Sequence, residues 1–236
     1  MKKELEKRII TSFLLFFLLI FSIFVSWPIY IISVLVVCII ALNESVYLIS
    51  IIEKNTSNKN FKKKSILFKF ISFLYIFLLF FVASTSLYEE GVLFVFFILL
   101  ICIFSDVGGY VIGKTVGGKK LTKISPNKTI SGSIGSFFFS VTPLLLFNNL
   151  DNNNYSYSIN NFLLCLELSL VCQLGDIFIS YIKRKAKVKD SGKFLPGHGG
   201  LLDRIDGIIF ALPFAWLYLN GFKKYFEVLA STISQF

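Results

Sequence analysis

The sequence predicts an all-α, multipass membrane bundle of about seven spans. Three observations predict it. Of the 236 residues, 55% are hydrophobic and 28 are phenylalanine, above the roughly 45–50% apolar content of a soluble domain. The apolar residues collect in runs that approach or exceed the roughly 20 residues a helix needs to cross a bilayer. These runs lack the alternating polarity of barrel strands, which leaves helices as the way to satisfy backbone polar groups in lipid.

The first run, 9–27, has a basic flank but no small-residue cleavage site. It leads through Trp27-Pro28 into another apolar run, so it reads as a retained span. The second, 29–52, is interrupted by Asn43-Glu44. A Lys/Asn-rich stretch, 53–64 (EKNTSNKNFKKK), reads as a flexible linker. It divides the chain into an N-terminal transmembrane pair with its basic linker, 1–64, and a catalytic transmembrane core, 65–236. Within the core, spans are expected at 65–84, 91–105, 133–148, 161–182 and 201–222. The 91–105 run is short; if it continues through Asp106 to Gly113, its polar residues face the protein interior.

The net charge is +10, and the positive-inside rule accounts for most of it. Lys and Arg crowd the N-terminus, 53–64, 106–130 and 183–200, while 85–91 and 149–160 have none. Alternating spans put every basic segment on the cytoplasmic side. The basic residues are split among short loops instead of forming one face, which argues against nucleic acid as a partner. Cys38, Cys102, Cys165 and Cys172 lie inside apolar runs without metal-ligand spacing and read as packing residues.

The chemistry gathers in 180–206, SYIKRKAKVKDSGKFLPGHGGLLDRID. Charged, irregular chain between two apolar runs is costly unless it lines water or ligand. Carboxylates can hold a cation, Lys and Arg can meet phosphate oxygens, and glycines let backbone N–H groups approach. Asp203 and Asp206 sit three apart, on one face of a helix, where they can converge on one Mg²⁺. Asp176 lies deep in an apolar run, where an ionisable residue suggests function. In Ser125-Pro126-Asn127-Lys128-Thr129, a proline-shaped turn, a lysine and two hydroxyls suit a triphosphate. The glycines around Asp106 and Tyr110 allow either tight helix packing or phosphate approach. His198, the single histidine, fits a general acid, a phosphate donor or a turn-former beside Gly199-Gly200.

Segment 180–206 resembles the signature of the phosphatidate cytidylyltransferases (CDP-diacylglycerol synthases). The matching positions are Ser180, Ile182, Lys183-Arg184, Lys189-Asp190, Gly192, Leu195-Pro196, His198-Gly199-Gly200-Leu201 and Asp203-Arg204-Ile205-Asp206. Ser125-Pro126-x-Lys128-Thr129-x-x-Gly132 resembles a second family motif, with Ile130 and Ser131 replacing an aromatic and an acid. Asp106-x-x-Gly109-Tyr110-x-x-Gly113-Lys114 resembles a third, with Gly109 replacing alanine. The resemblance covers 106–207. It implies transfer of the cytidylyl group of CTP to phosphatidate, giving CDP-diacylglycerol and pyrophosphate for phospholipid biosynthesis.

The resemblance also implies Mg²⁺ on Asp176, Asp203 and Asp206, with room for a second cation. Lys183, Arg184, Lys189 and Arg204 would meet phosphates, Ser125, Lys128 and Thr129 would bind nucleotide, and Asp106 would line the site. The expected setting is the inner cell membrane, with membrane lipids around the bundle, the site facing the cytoplasm, and a homodimer as a compatible assembly. A CTP-dependent polyprenol kinase and a membrane transporter are the alternative readings.

The charge pattern makes a topological prediction. In intact cells a cysteine introduced at Asn153 reacts with an impermeant thiol reagent from outside, and one at Lys187 does not. The opposite labelling would reverse the orientation.

Overall fold

The computed structural model describes residues 17–18, 20–56, 59–148, 157–195 and 199–223. The described elements are helical, and the β pairing among them is confined to two isolated bridges, Lys120 with Thr129 and Leu195 with Gly199. Of the expected 9–27 span, 9–16 and 19 lie outside the described residues, and 20–25 is helical.

Helix α1, Trp27–Asn55, starts with Pro28 in its first turn, where a missing N–H costs nothing. It runs without a break through Asn43-Glu44. Helix α2, Lys59–Glu89, begins three residues after Thr56, so the expected 53–64 linker is largely helical. Helix α3, Val92–Thr115, follows a turn at Gly91 with φ of 86° and continues past Asp106, as the sequence suggested. Thr129 caps α4, Ile130–Ser140, by accepting from Gly132 N at 3.0 Å. Pro143 opens the short α5, Thr142–Phe147. Helix α6, Ile159–Ala186, ends on Lys187 in the left-handed region, with Lys183, Arg184 and Lys185 complementing the dipole of its last turn.

The expected 201–222 span is two pieces. A single turn, α7 (Leu202–Ile205), is followed by α8, Ile208–Leu217, and a π turn over Tyr218–Lys223. Among the described residues, five helical stretches are long and apolar enough to cross a membrane, and 208–221 is a shorter apolar one. Large apolar side chains on the outer faces, such as Ile32, Ile66 and Phe77, are exposed, as lipid-facing residues are.

Two glycine contacts bring helices together closely. Between α3 and α4, a Cβ on Gly108 would lie 2.6 Å from Gly135 O, and one on Gly132 would lie 2.7 Å from Gly109 O. The glycines near Asp106 therefore serve helix packing. Between α6 and the α7–α8 corner, a Cβ on Gly175 would lie 2.6 Å from Asp206 O, and one on Gly207 would lie 2.1 Å from Cys172 Sγ.

The basic ends of α1 and α6 and the basic loop before α4 meet at one end of the bundle. Asn55 Nδ2 donates to Ala186 O at 3.2 Å, joining the ends of α1 and α6. Arg184 Nε donates to Ile124 O at 3.5 Å, joining α6 to the loop before α4. This shared end agrees with the grouping that the Lys and Arg pattern predicts.

Pro213 inside α8 cannot donate to the carbonyl four residues earlier. That carbonyl, Ile209 O, accepts from Tyr75 Oη of α2 at 2.8 Å. Tyr75→Phe leaves it unpaired in an apolar setting and should destabilise the protein by about 1–3 kcal/mol. Thermal unfolding in detergent checks this; an unchanged midpoint would contradict it.

Candidate active site

The Gly175 and Gly207 contact explains where two carboxylates meet. Each glycine adjoins an aspartate, and the close approach of the chains sets Asp176 and Asp206 within hydrogen-bonding reach of each other. Asp106 of α3 lies close enough to bear on both by charge. Asp106 is exposed and the other two are half-buried, so the cluster opens to the surroundings. By a rise of 1.5 Å per residue, Asp176 stands roughly 15 Å below the basic end of α6.

Lys128 is delivered to this cluster from a different motif. Lys128 N donates to Ser125 O at 3.1 Å, closing a turn over Pro126 and Asn127, and Leu121 N donates to Lys128 O at 2.8 Å. From that turn Lys128 Nζ pairs with Asp176 Oδ2. Ser180 Oγ donates to the other oxygen, Oδ1, at 3.3 Å. Thr129 is spent on capping α4, and Ser131 donates to Gly117 O, which fastens the loop to the helix start.

Asp203 belongs to a second centre. Lys183 Nζ lies 2.6 Å from its Oδ1, with both side chains mostly buried. Its Oδ2 accepts from Ser191 N at 2.7 Å, Ser191 Oγ at 3.0 Å and Gly200 N at 3.2 Å. The expected trio Asp176, Asp203 and Asp206 is not brought to one point. Among the described residues no three His, Cys, Asp or Glu side chains converge at metal-ligand spacing. Helical spacing and the family resemblance both suggested convergence of Asp203 and Asp206. Asp206 and Gly207 keep helical dihedrals, but the oxygens of Asp203 are taken up by Lys183, Ser191 and Gly200.

The donor chemistry nonetheless fits Mg²⁺. Asp106, Asp176 and Asp206 offer oxygen alone, and two adjacent carboxylates repel unless a proton or cation lies between them. Mg²⁺ binds through one or two carboxylates together with waters and substrate phosphates, so a closed protein cage is not required. Arg184, Lys189 and Arg204 are exposed near the basic end, and Ser125 is half-buried in its turn. His198 lies outside the described residues. Sequence reasoning missed Glu44, a buried carboxylate of α1 that reaches Ser191; its signal was a lone acid in an apolar run.

The chain belongs to the Cytidylyltransferase family, whose profile matches residues 9–222. A phosphatidate cytidylyltransferase of Bacillus subtilis (strain 168) is 37% identical over 145 residues, which cover 61% of this chain and 54% of that protein. One from Staphylococcus aureus (strain COL) is 45% identical over 127 residues, covering 53% and 48%. One from Rickettsia bellii (strain RML369-C) is 44% identical over 122 residues, covering 49% and 52%. The chain thus spans about half the length of the curated relatives it matches.

Removing one partner of a buried ion pair leaves an uncompensated charge. Lys183→Met should therefore destabilise the protein by about 3 kcal/mol. Adding Asp203→Asn keeps an acceptor for the two backbone N–H groups and removes the orphan charge, so the double variant should recover much of the loss. Melting midpoints test this; a double variant less stable than Lys183→Met would contradict it.

Proposed function

We propose that this protein transfers the cytidylyl group of CTP to phosphatidate, forming CDP-diacylglycerol and pyrophosphate at the cytoplasmic face of the cell membrane. The observation that carries the reading is the meeting of Lys128 with the Asp106, Asp176 and Asp206 cluster. It joins two motifs distant in sequence into one place for an anionic nucleotide and its counter-ion. Family membership and the names of the relatives support the same activity.

The lipid phosphate is already anionic at neutral pH, so no protein general base is required. One of its oxygens bonds to the α-phosphorus of CTP; the bond from that phosphorus to the bridging oxygen breaks, and pyrophosphate departs. Lys128 meets nucleotide phosphate oxygens, and Arg184, at the mouth of the site, meets phosphate from the basic end. The Lys183–Asp203 centre keeps Ser191 and Gly200 in place beside them. Positioning and charge neutralisation supply the rate. Asp176 and Asp206, with Asp106 beside them, would hold Mg²⁺, which when bound neutralises phosphate charge and stabilises the leaving pyrophosphate.

An apolar cavity of about 500 Å³ suits an acyl chain of the lipid. Leu48, Ile76, Phe178, Ile182 and Phe210 help to line it, with Lys185 also on its wall.

Purified full chain given CTP, phosphatidate and Mg²⁺ should yield CDP-diacylglycerol and pyrophosphate in equal amounts, and EDTA should stop the reaction until Mg²⁺ is restored. CDP with a phosphorylated lipid would instead identify a kinase. Loss of a charge-assisted phosphate contact costs roughly 1.5–3 kcal/mol, so Lys128→Ala should lower kcat/KM for CTP about ten- to a hundredfold. An unchanged value would make the 125–129 turn a mere anchor.

A further inference from the structure

Glu44 stands in the middle of α1 and is 7% exposed. A carboxylate in such an apolar helix persists when hydrogen bonds satisfy its oxygens. Here the donors come from the other end of the sequence. Ser191 Oγ donates to Oε2 at 2.9 Å, Leu201 N to Oε1 at 3.0 Å, and Leu202 N to Oε2 at 2.8 Å.

Two glycines of the same segment are shaped by this side chain. A Cβ on Gly192 would fall 2.5 Å from Glu44 Oε1, and one on Gly200 would fall 2.5 Å from Oε2. Glycine at these positions thus makes room for a carboxylate of α1. The residues moulded around Glu44 are also those that fix Asp203: Ser191 through its N–H and hydroxyl, and Gly200 through its N–H. The Ser191 hydroxyl lies within reach of both carboxylates.

We propose that Glu44 is a positioning residue for the transfer reaction: from α1 it clamps Ser191, Leu201 and Leu202, and thereby holds Asp203 and Lys183 in register beside the carboxylate pocket. The inference rests on the reaction proposed above. Glu44 touches no reacting atom and acts through Ser191 and Gly200.

The test compares full-length wild type, Glu44→Gln, Glu44→Ala and Glu53→Gln in detergent by hydrogen–deuterium exchange and by kinetics. Glu53 pairs with Lys69 toward the end of the same helix and serves as the control. In the Glu44 variants the amides of Ser191, Leu201 and Leu202 should exchange faster, while those in the middle of α6 stay protected. The loss of hydrogen bonds to a charged acceptor corresponds to roughly a ten- to hundredfold fall in kcat. KM for CTP should change by less than about threefold, because the lost effect lies in the transition state.

A cleft of about 700 Å³ includes Glu44 in its lining, so small carboxylates can enter it. Acetate should therefore restore part of the kcat of Glu44→Ala, and chloride at equal ionic strength should not. Glu53→Gln should behave as wild type. Faster exchange with wild-type kcat would overturn the proposal, since Glu44 would then be a fold contact alone. If neither Glu44 variant folds, Ser191→Ala decides: a fall in kcat with KM unchanged supports the clamp, and wild-type kcat overturns it. A wild type that makes no CDP-diacylglycerol overturns the reaction and not the clamp, which then stands or falls on the exchange.

Discussion

The site depends on how closely α6 and α8 approach. Gly175 and Gly207 let the two chains touch where a single methyl group would collide with a carbonyl oxygen or a sulfur. Each glycine has an aspartate as its chain neighbour, so the contact that packs the helices also places Asp176 against Asp206. In an apolar bundle two such carboxylates are costly together, and the arrangement is understandable as a seat for a cation brought with phosphates. Lys128, carried in by the turn before α4, supplies the local positive charge that keeps the pocket tolerable without substrate.

The charged groups divide into two sets with different duties. Asp106, Asp176 and Asp206 form a set that opens to the surroundings, with Lys128 and Ser180 on the oxygens of Asp176. Asp203 forms a closed set, its two oxygens occupied by Lys183, Ser191 and Gly200. Glu44 extends the closed set into α1, so the N-terminal helix is tied to the segment that bears the motif. The same economy is visible at α8, where Tyr75 of α2 satisfies the carbonyl that Pro213 leaves without a donor. In a membrane, such backbone groups must find partners inside the protein.

Much of this was legible in the sequence. Apolar run length gave the helices, the rarity of acids inside such runs pointed to Asp176, and the family resemblance pointed to Asp106. The basic-loop pattern grouped the segments that the structure gathers at one end. Other features depend on contacts between distant residues and leave no local trace. Helical spacing placed Asp203 and Asp206 on one face, but Asp203 is held by Lys183, Ser191 and Gly200 while Asp206 meets Asp176. Thr129 read as a phosphate ligand and is a helix cap. Gly192 and Gly200 read as openings for phosphate and instead accommodate Glu44, a residue that looked like an interruption in a span.

The division between an open and a closed set of carboxylates is tested most directly by binding of Mn²⁺, a Mg²⁺ substitute, to the full chain with CTP, followed by electron paramagnetic resonance of the free ion. The account predicts that Asp176→Asn and Asp206→Asn each weaken Mn²⁺ binding by about tenfold or more, whereas Asp203→Asn retains it. Wild-type binding in the first two variants, or loss of binding in Asp203→Asn alone, would contradict it.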